Sequence, residues 1–331
     1  MKKAVATFIS VVILSCVFLG NEKQNISVGK AECVMEVNSR RILYESNGDV
    51  CLPMASTTKI VTALTVLEHS KNLQETIIVP EEAEGVEGSS VYLKAGEQYT
   101  VEDLLYGLML RSGNDCAVSL AMHCSGSLDD FSLKMNEVSQ KAGALHSNFQ
   151  NPHGLPARDH YTTARDLTAI SCYAMQNSIF RKIVSTRCYP LYRWQNKNKM
   201  LTRYEGAVGI KTGYTKEAGR CLVSAAERDG MMLVCSLLNC STTYERTIQL
   251  LEDAFSSYKM TKLLSPDQMF QVHDTLACAR EEFCYPLMEG EGEALEYVVT
   301  PIKNEVEKEI IGVLEISLAK RLLFSTNLYK L

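Results

Sequence analysis

Short runs of apolar, strand-favouring residues lie near the start of the chain and again beyond its middle. Residues 32–37 and 41–45, joined by a polar turn at 38–40, predict a β-hairpin. Strand patterns return near residues 207–210, 222–225 and 231–238, and a helical pattern follows at about 243–258. These segments predict an antiparallel sheet covered by helices.

A different periodicity occupies the segments between those strands. Ile60, Ala63, Leu64 and Leu67 recur at helical spacing, which predicts a helix that starts at or near residue 56 and ends at about residue 71. Residues 100–145 repeat the helical pattern. We therefore expect an α+β fold, in which a helical subdomain is inserted between the early and late strands.

The pattern changes again after residue 258. Prolines, an acidic glycine-containing turn at 289–292 and the alternating stretch at 313–318 predict a small β domain. The predicted boundaries are an N-terminal segment at 1–24, a large domain at 25–258 and the small β domain at 259–331.

The N-terminal segment is typical of a secretory signal peptide. Two lysines precede an apolar run over residues 4–19, and no acidic residue occurs before Glu22. An uncleaved single-pass anchor is the alternative. Lipidation of Cys16 fits less well because the three residues after it are still apolar. Either reading predicts export, so we expect an extracytoplasmic protein.

Composition excludes several kinds of partner. The net charge of -5 gives no support for nucleic-acid binding. The chain has no Cys-x-x-Cys pair and its six histidines are scattered, so the sequence predicts no metal site. Most of the twelve cysteines lie in apolar runs, which favours core thiols over disulfides and suggests a reducing habitat as a hypothesis.

Three short motifs occur in order: Ser-Thr-Thr-Lys at residues 56–59, Ser-Gly-Asn at 112–114 and Lys-Thr-Gly at 211–213. A serine hydroxyl is a weak nucleophile unless a base takes its proton. Lys59 lies one helical turn after Ser56, and burial beside a second cation, for which Lys211 is the candidate, would lower its pKa. Taken alone, Lys59 fits an ordinary solvated lysine better than a catalytic base, and Ser112 and Asn114 fit an inter-helix connection better than a site.

The motifs and their surroundings resemble the serine-type D-alanyl-D-alanine carboxypeptidases, the low-molecular-weight penicillin-binding protein family. The sequences at residues 53–60, 106–115, 163–166 and 209–215 are similar to motifs of that family. The resemblance implies the β-lactamase/transpeptidase-like fold and an enzyme that needs no metal or organic cofactor. Its substrates would be peptidoglycan stem peptides, and β-lactam antibiotics would be covalent inhibitors.

The resemblance also implies a role for each matching residue. Ser56 would attack the penultimate D-alanine, with Lys59 as general base and Ser112 as proton donor to the leaving amine. The N–H groups of Ser56 and Tyr214 would bind the oxyanion, and Arg246 would help to orient the terminal carboxylate unless it is a surface helix residue. The implied substrate-binding residues are Asn114, Lys211, Thr212, Gly213, Tyr214 and Arg246. For Gly213, the residue type predicts a close approach of the ligand backbone.

Related functions remain as alternatives to the carboxypeptidase activity. A D-alanine endopeptidase would use the same nucleophile, and an inactive wall-binding module would keep the fold. A class A β-lactamase is disfavoured because residues 138–204 contain no glutamate, only Asp159 and Asp166. The tail at 319–331 is short and has little polar face, so membrane attachment is expected only through the N-terminal segment.

Overall fold

The structure, a computed structural model, describes residues 29–266, 268–302 and 309–331. The predicted N-terminal segment, with Cys16, lies outside those ranges. Within them, no helix has both the length and the apolar character needed to span a bilayer.

The large domain consists of a five-stranded central sheet, two pairs of short strands and a set of helices. Its strands are β1 (Ala31–Glu36), β2 (Ile42–Ser46), β3 (Thr76–Ile78), β4 (Gln98–Thr100), β5 (Cys188–Tyr189), β6 (Trp194–Gln195), β7 (Ala207–Thr215), β8 (Gly219–Arg228) and β9 (Met231–Leu238). Its helices are α1 (Lys59–His69), α2 (Val101–Tyr106), α3 (Asn114–Ser125), α4 (Leu128–Lys141), α5 (Ala164–Met175), α6 (Ser178–Ser185), α7 (Met200–Arg203) and α8 (Thr243–Ser257).

The central sheet has the strand order β2-β1-β9-β8-β7 and is antiparallel throughout. The short pairs are β3 with β4 and β5 with β6. One face packs on α8 through a core that includes Leu222, Leu237 and Leu250. The opposite face packs on α5 and on the helices inserted between β2 and β7. The α+β class, the hairpin and the inserted helical subdomain are therefore confirmed.

Two further sheets follow the last helix. Their strands are β10 (Tyr258–Leu264), β11 (Met269–Val272), β12 (Thr275–Cys278), β13 (Phe283–Met288), β14 (Leu295–Pro301), β15 (Ile310–Leu318) and β16 (Arg321–Lys330). β10 pairs with β13, and the other five form a sheet in the order β11-β12-β16-β15-β14 around a separate small core. The small C-terminal β domain is confirmed, and most of the tail at 319–331 forms its strand β16.

The cysteines are mostly core side chains, as expected. None of the eleven described cysteines forms a disulfide. The buried ones are Cys33, Cys116, Cys172, Cys221, Cys235 and Cys240. Burial is the main cause that raises the pKa of the Cys221 thiol to about 11, so this thiol, next to the cleft described below, stays protonated and unreactive.

Candidate active site

Ser56 lies in a tight turn that leads directly into α1. Residues Ala55–Thr58 form a 3₁₀ turn, and Ala55 adopts a left-handed backbone conformation with φ of 50°. Non-glycine residues rarely adopt this conformation, which is found preferentially where a structure fixes a functional group. The turn presents Ser56 at the N-terminal end of α1, as the sequence predicts.

Lys59 is buried beneath this serine and is held by three polar atoms. Its Nζ lies 3.1 Å from Ser56 Oγ, 2.6 Å from Asn114 Oδ1 and 2.6 Å from the carbonyl oxygen of His153. A neutral amine has two N–H donors and one lone pair. Because Asn114 Oδ1 and the His153 carbonyl can only accept, they take both donors, and the lone pair is left for the Ser56 hydroxyl proton.

The charge environment favours the neutral amine. Burial is the main cause that lowers the pKa of Lys59 well below its ordinary value, and the nearby charge of Lys211 lowers it further. Lys211 is only 1% exposed. Burial, then the charge of Lys197, lowers the pKa of Lys211 to about 7. The electrostatic arrangement expected from the sequence is thus present in the geometry.

The loop that supplies the His153 carbonyl was not predicted from the sequence. Asn151 Oδ1 accepts hydrogen bonds from the backbone N–H groups of Gly154 and His153, at 2.7 and 3.3 Å. Gly154 has φ of 86°, and a Cβ there would lie 2.0 Å from the Ala55 carbonyl oxygen. Only glycine fits this position. The available signal was the Asn-Pro-His-Gly turn sequence itself.

The second motif enters from the inserted helices. Ser112 has a left-handed backbone (φ 65°), and its hydroxyl is buried yet has no hydrogen-bond partner among the described residues. An unpartnered buried hydroxyl that lines a cleft is available to a ligand. The Asn114 carboxamide, by contrast, is engaged at both ends, because its Nδ2 donates to the Glu87 carbonyl. Nδ2 carries a second N–H, and this is the donor that would hold a substrate amide, as the resemblance implies.

The third motif forms part of the edge strand β7. A Cβ on Gly213 would lie 3.0 Å from the Met54 carbonyl oxygen and 3.2 Å from the Ser56 nitrogen. Position 213 therefore has to be glycine to leave space for the turn that carries the nucleophile, and not only for a ligand. This close contact sets β7 beside the Ser56 N–H, where the predicted oxyanion hole would form.

The motifs border one open cleft of about 300 Å³. The side chain of Tyr214 is 65% exposed at its edge. Two cationic residues outside the motifs, Lys197 and Arg220, also line the cleft. Lys197 Nζ donates to Ser89 Oγ at 3.2 Å. No sequence motif identifies them, since their place depends on the fold. The cleft is lined by Ser56, Ser89, Ser112, Lys197, Thr212, Gly213, Tyr214, Arg220, Cys221, Thr243 and Tyr244.

Arg246 is not brought to this cleft. Its Nε and Nη2 donate to the two carboxylate oxygens of Glu32, at 2.9 and 2.7 Å, and Nη1 donates to Gln249 at 2.9 Å. The Glu32 side chain is fully buried. In this structure the guanidinium of Arg246 is thus committed to the Glu32 carboxylate and not turned toward a ligand, and Arg246 is not an ordinary surface residue either.

Carboxylates are absent from the described residues that line the cleft. Asp166, one of the two carboxylates in the stretch without glutamate, accepts hydrogen bonds from the His146 N–H and the Ser147 hydroxyl, at 2.6 and 2.8 Å. Its own N–H is capped by Thr163 at 3.0 Å. Asp166 therefore ties the start of α5 to the preceding loop and is not placed to activate water.

Comparisons with known proteins agree with this geometry. A family profile described as D-alanyl-D-alanine carboxypeptidase matches residues 20–242. D-alanyl-D-alanine carboxypeptidase DacF of Bacillus subtilis is 31% identical over 255 residues, 72% of this chain and 65% of the relative, slightly less than two thirds of its length. A Streptomyces D-alanyl-D-alanine carboxypeptidase is 36% identical over 219 residues, 59% of this chain and 75% of the relative. The crystal structure of penicillin binding protein 5 from Haemophilus influenzae is similar with a TM-score of 0.77 at 25% identity, covering 92% of this chain and 97% of that chain.

Proposed function

The chain belongs to the D-alanyl-D-alanine carboxypeptidase family, and on that premise we propose that it removes the terminal D-alanine from peptidoglycan stem peptides. The observation that carries the proposal is the position of Lys59 Nζ, 3.1 Å from Ser56 Oγ with its other contacts to acceptors. In this arrangement Lys59 can accept the hydroxyl proton of Ser56 as a general base, which makes Ser56 an effective nucleophile.

The reaction has two steps. Neutral Lys59 takes the hydroxyl proton of Ser56, and Oγ bonds to the carbonyl carbon of the penultimate D-alanine. The N–H groups of Ser56 and Tyr214 bind the oxyanion, a contribution of about 3 to 4 kcal/mol for each donor in well-studied cases. Ser112 passes a proton to the amine of the terminal D-alanine, which leaves as the C–N bond breaks, and Ser112 regains a proton from protonated Lys59. Water then cleaves the ester and restores Ser56.

The same chemistry applies to β-lactams, which would acylate Ser56 and stay bound. Slow deacylation is expected because no carboxylate lines the described cleft and Asp166, in the first turn of α5, is engaged by His146 and Ser147. Fast turnover of a chromogenic cephalosporin would contradict this and support a β-lactamase. The protein would act outside the cytoplasm, at the cell wall, at the outer face of the cytoplasmic membrane or as a secreted enzyme, as the N-terminal segment predicts.

The direct test is release of D-alanine from N-acyl-L-Lys-D-Ala-D-Ala. The Ser56→Ala variant should release none and should not be labelled by a fluorescent penicillin, whereas Ser257→Ala, at an exposed serine outside the cleft, should behave as wild type. Mass spectrometry should map the penicillin adduct to Ser56. No D-alanine release by a folded wild-type protein would indicate an inactive wall-binding module.

A cross-linked stem-peptide dimer distinguishes the endopeptidase. We expect the dimer to be cleaved more slowly than the free D-Ala-D-Ala end. Faster cleavage of the dimer would overturn the carboxypeptidase assignment while leaving the nucleophile and base in place.

A further inference from the structure

A substrate that ends in D-alanine presents a carboxylate, and the residue expected to orient it is already engaged. The guanidinium of Arg246 makes paired hydrogen bonds to Glu32, whose side chain has no solvent exposure. Withdrawing Arg246 toward a ligand would leave an uncompensated buried carboxylate, which is strongly unfavourable. Arg246 is therefore a structural cation that holds α8 against β1.

A different arginine borders the cleft. Arg220 is exposed and lines the cleft together with Thr212. In the pairing of β7 with β8, Tyr214 lies opposite Arg220 and Thr212 lies opposite Leu222. Arg220 is thus the diagonal neighbour of Thr212 on the same face of the sheet, at a separation of about 7 to 8 Å that a long side chain spans.

The Arg220 side chain has no competing partner in the described part of the chain. No hydrogen bond or ion pair joins its guanidinium to another residue in 29–266, 268–302 or 309–331. Its backbone is fixed, because its carbonyl accepts a hydrogen bond from the Cys240 N–H at 2.9 Å. The strand is therefore anchored while the guanidinium is available to a ligand.

We propose that Arg220, and not Arg246, is the arginine that binds the terminal carboxylate of the substrate, together with Thr212. The proposal rests on the carboxypeptidase function above and names the residue that gives the site its preference for a free carboxyl end. A guanidinium suits this task because it is always charged and offers two parallel donors to a carboxylate. Lys211 is buried and its Nζ donates to the Thr212 carbonyl at 3.0 Å, so it holds the backbone of Thr212 in place.

The test compares a substrate with its uncharged counterpart. N-acyl-L-Lys-D-Ala-D-Ala and its C-terminal carboxamide are assayed with wild type and with Arg220→Gln. We expect the variant to lower kcat/KM for the acid by about 10- to 100-fold, as loss of a charge-assisted hydrogen bond predicts, and for the amide by less than about 3-fold. An equal loss on both substrates would mean that Arg220 is only structural, and would overturn the proposal.

Two further arginines serve as controls. Arg228→Gln, on the same strand in a surface pair with Glu252, should leave both substrates unchanged. Arg246→Gln should lower thermal stability, and adding Glu32→Gln should restore part of that loss because no charge is then left buried. If the Glu32→Gln/Arg246→Gln protein selectively loses the acid substrate while Arg220→Gln does not, the assignment is reversed.

A separate arm keeps this proposal independent of the proposed substrate. Benzylpenicillin carries a free carboxylate and its methyl ester does not, and acylation of Ser56 by each can be followed by mass spectrometry. If wild type releases no D-alanine, the proposed function fails. The Arg220 assignment still stands if Arg220→Gln slows acylation by penicillin more than by the ester, and falls if both slow alike.

Discussion

Replacing Lys211 by methionine is expected to stabilise the fold while it weakens substrate binding. Lys211 is 1% exposed, and burial is the main cause that lowers the pKa of its amine from the ordinary 10.5 to about 7. A charged amine that is held out of water in this way costs folding free energy. Methionine has a similar length and no charge, so it fills the same space without that cost.

The magnitude follows from the pKa shift. A lowering of roughly 3.5 units corresponds to a cost of about 5 kcal/mol when the amine is charged, at 1.36 kcal/mol per unit. The hydrogen bond from Lys211 Nζ to the Thr212 carbonyl, 3.0 Å long, offsets about 1 kcal/mol, and local relaxation reduces the rest. We therefore expect Lys211→Met to gain about 2 to 4 kcal/mol in the free energy of unfolding at pH 6.

The gain should depend on pH with a definite sign. Below pH 7 the amine is protonated in both the folded and the unfolded chain, so the penalty in wild type is complete. From pH 7 to 10.5 the unfolded chain binds more protons at this site than the folded one, so wild-type stability rises with pH. The advantage of Lys211→Met should thus be largest below pH 7 and vanish above 10.5.

Urea unfolding at pH 6, 8 and 10 measures this difference. Lys216→Met, the same substitution at an exposed lysine just after β7, is the matched control and should change stability by less than about 0.5 kcal/mol. Activity should move in the opposite direction, with D-alanine release reduced by about 10-fold or more because a carboxylate partner is lost. A Lys211→Met protein that is no more stable at pH 6, or equally favoured at pH 10, would refute the reasoning.

Three further predictions concern the surroundings of the nucleophile. Gly213→Ala should fold but be acylated by fluorescent penicillin up to roughly 100-fold more slowly, because the added Cβ pushes β7 away from the Ser56 nitrogen. An unchanged acylation rate would contradict this contact. Gly154→Ala should be strongly destabilised in thermal unfolding, since its Cβ would overlap the Ala55 carbonyl, and wild-type stability would refute that packing. The acylation rate should rise with pH to a plateau well below 10.5, because Lys59 must lose its proton to act as base, whereas a rise only near 10.5 would mean an ordinary lysine.

The cysteine thiols provide a check on the expected habitat. Thiol titration of the denatured, unreduced protein should find most cysteines reactive, given that none of the described ones forms a disulfide in the structure. A protein with most thiols blocked would contradict the reducing-habitat hypothesis.

Local patterns in the sequence were sufficient for the secondary structure near the motifs. The hairpin of β1 and β2, helix α1 and strand β9 were predicted because periodicity and turn residues act over a few positions. Helices α5 and α6 were not among the predictions, although Thr163 and Asn177 cap their first turns.

The sequence by itself determined that Ser56 and Lys59 contact each other, because residues three apart share one face of a helical turn. It also determined the family, since three ordered motifs are specific together. Tertiary structure alone decided which arginine reaches the cleft, why Gly213 has no side chain, and where the Lys59 donors point. Those outcomes depend on contacts between Glu32 and Arg246, Met54 and Gly213, or Lys59 and His153, which are far apart in the chain and meet only when the core packs.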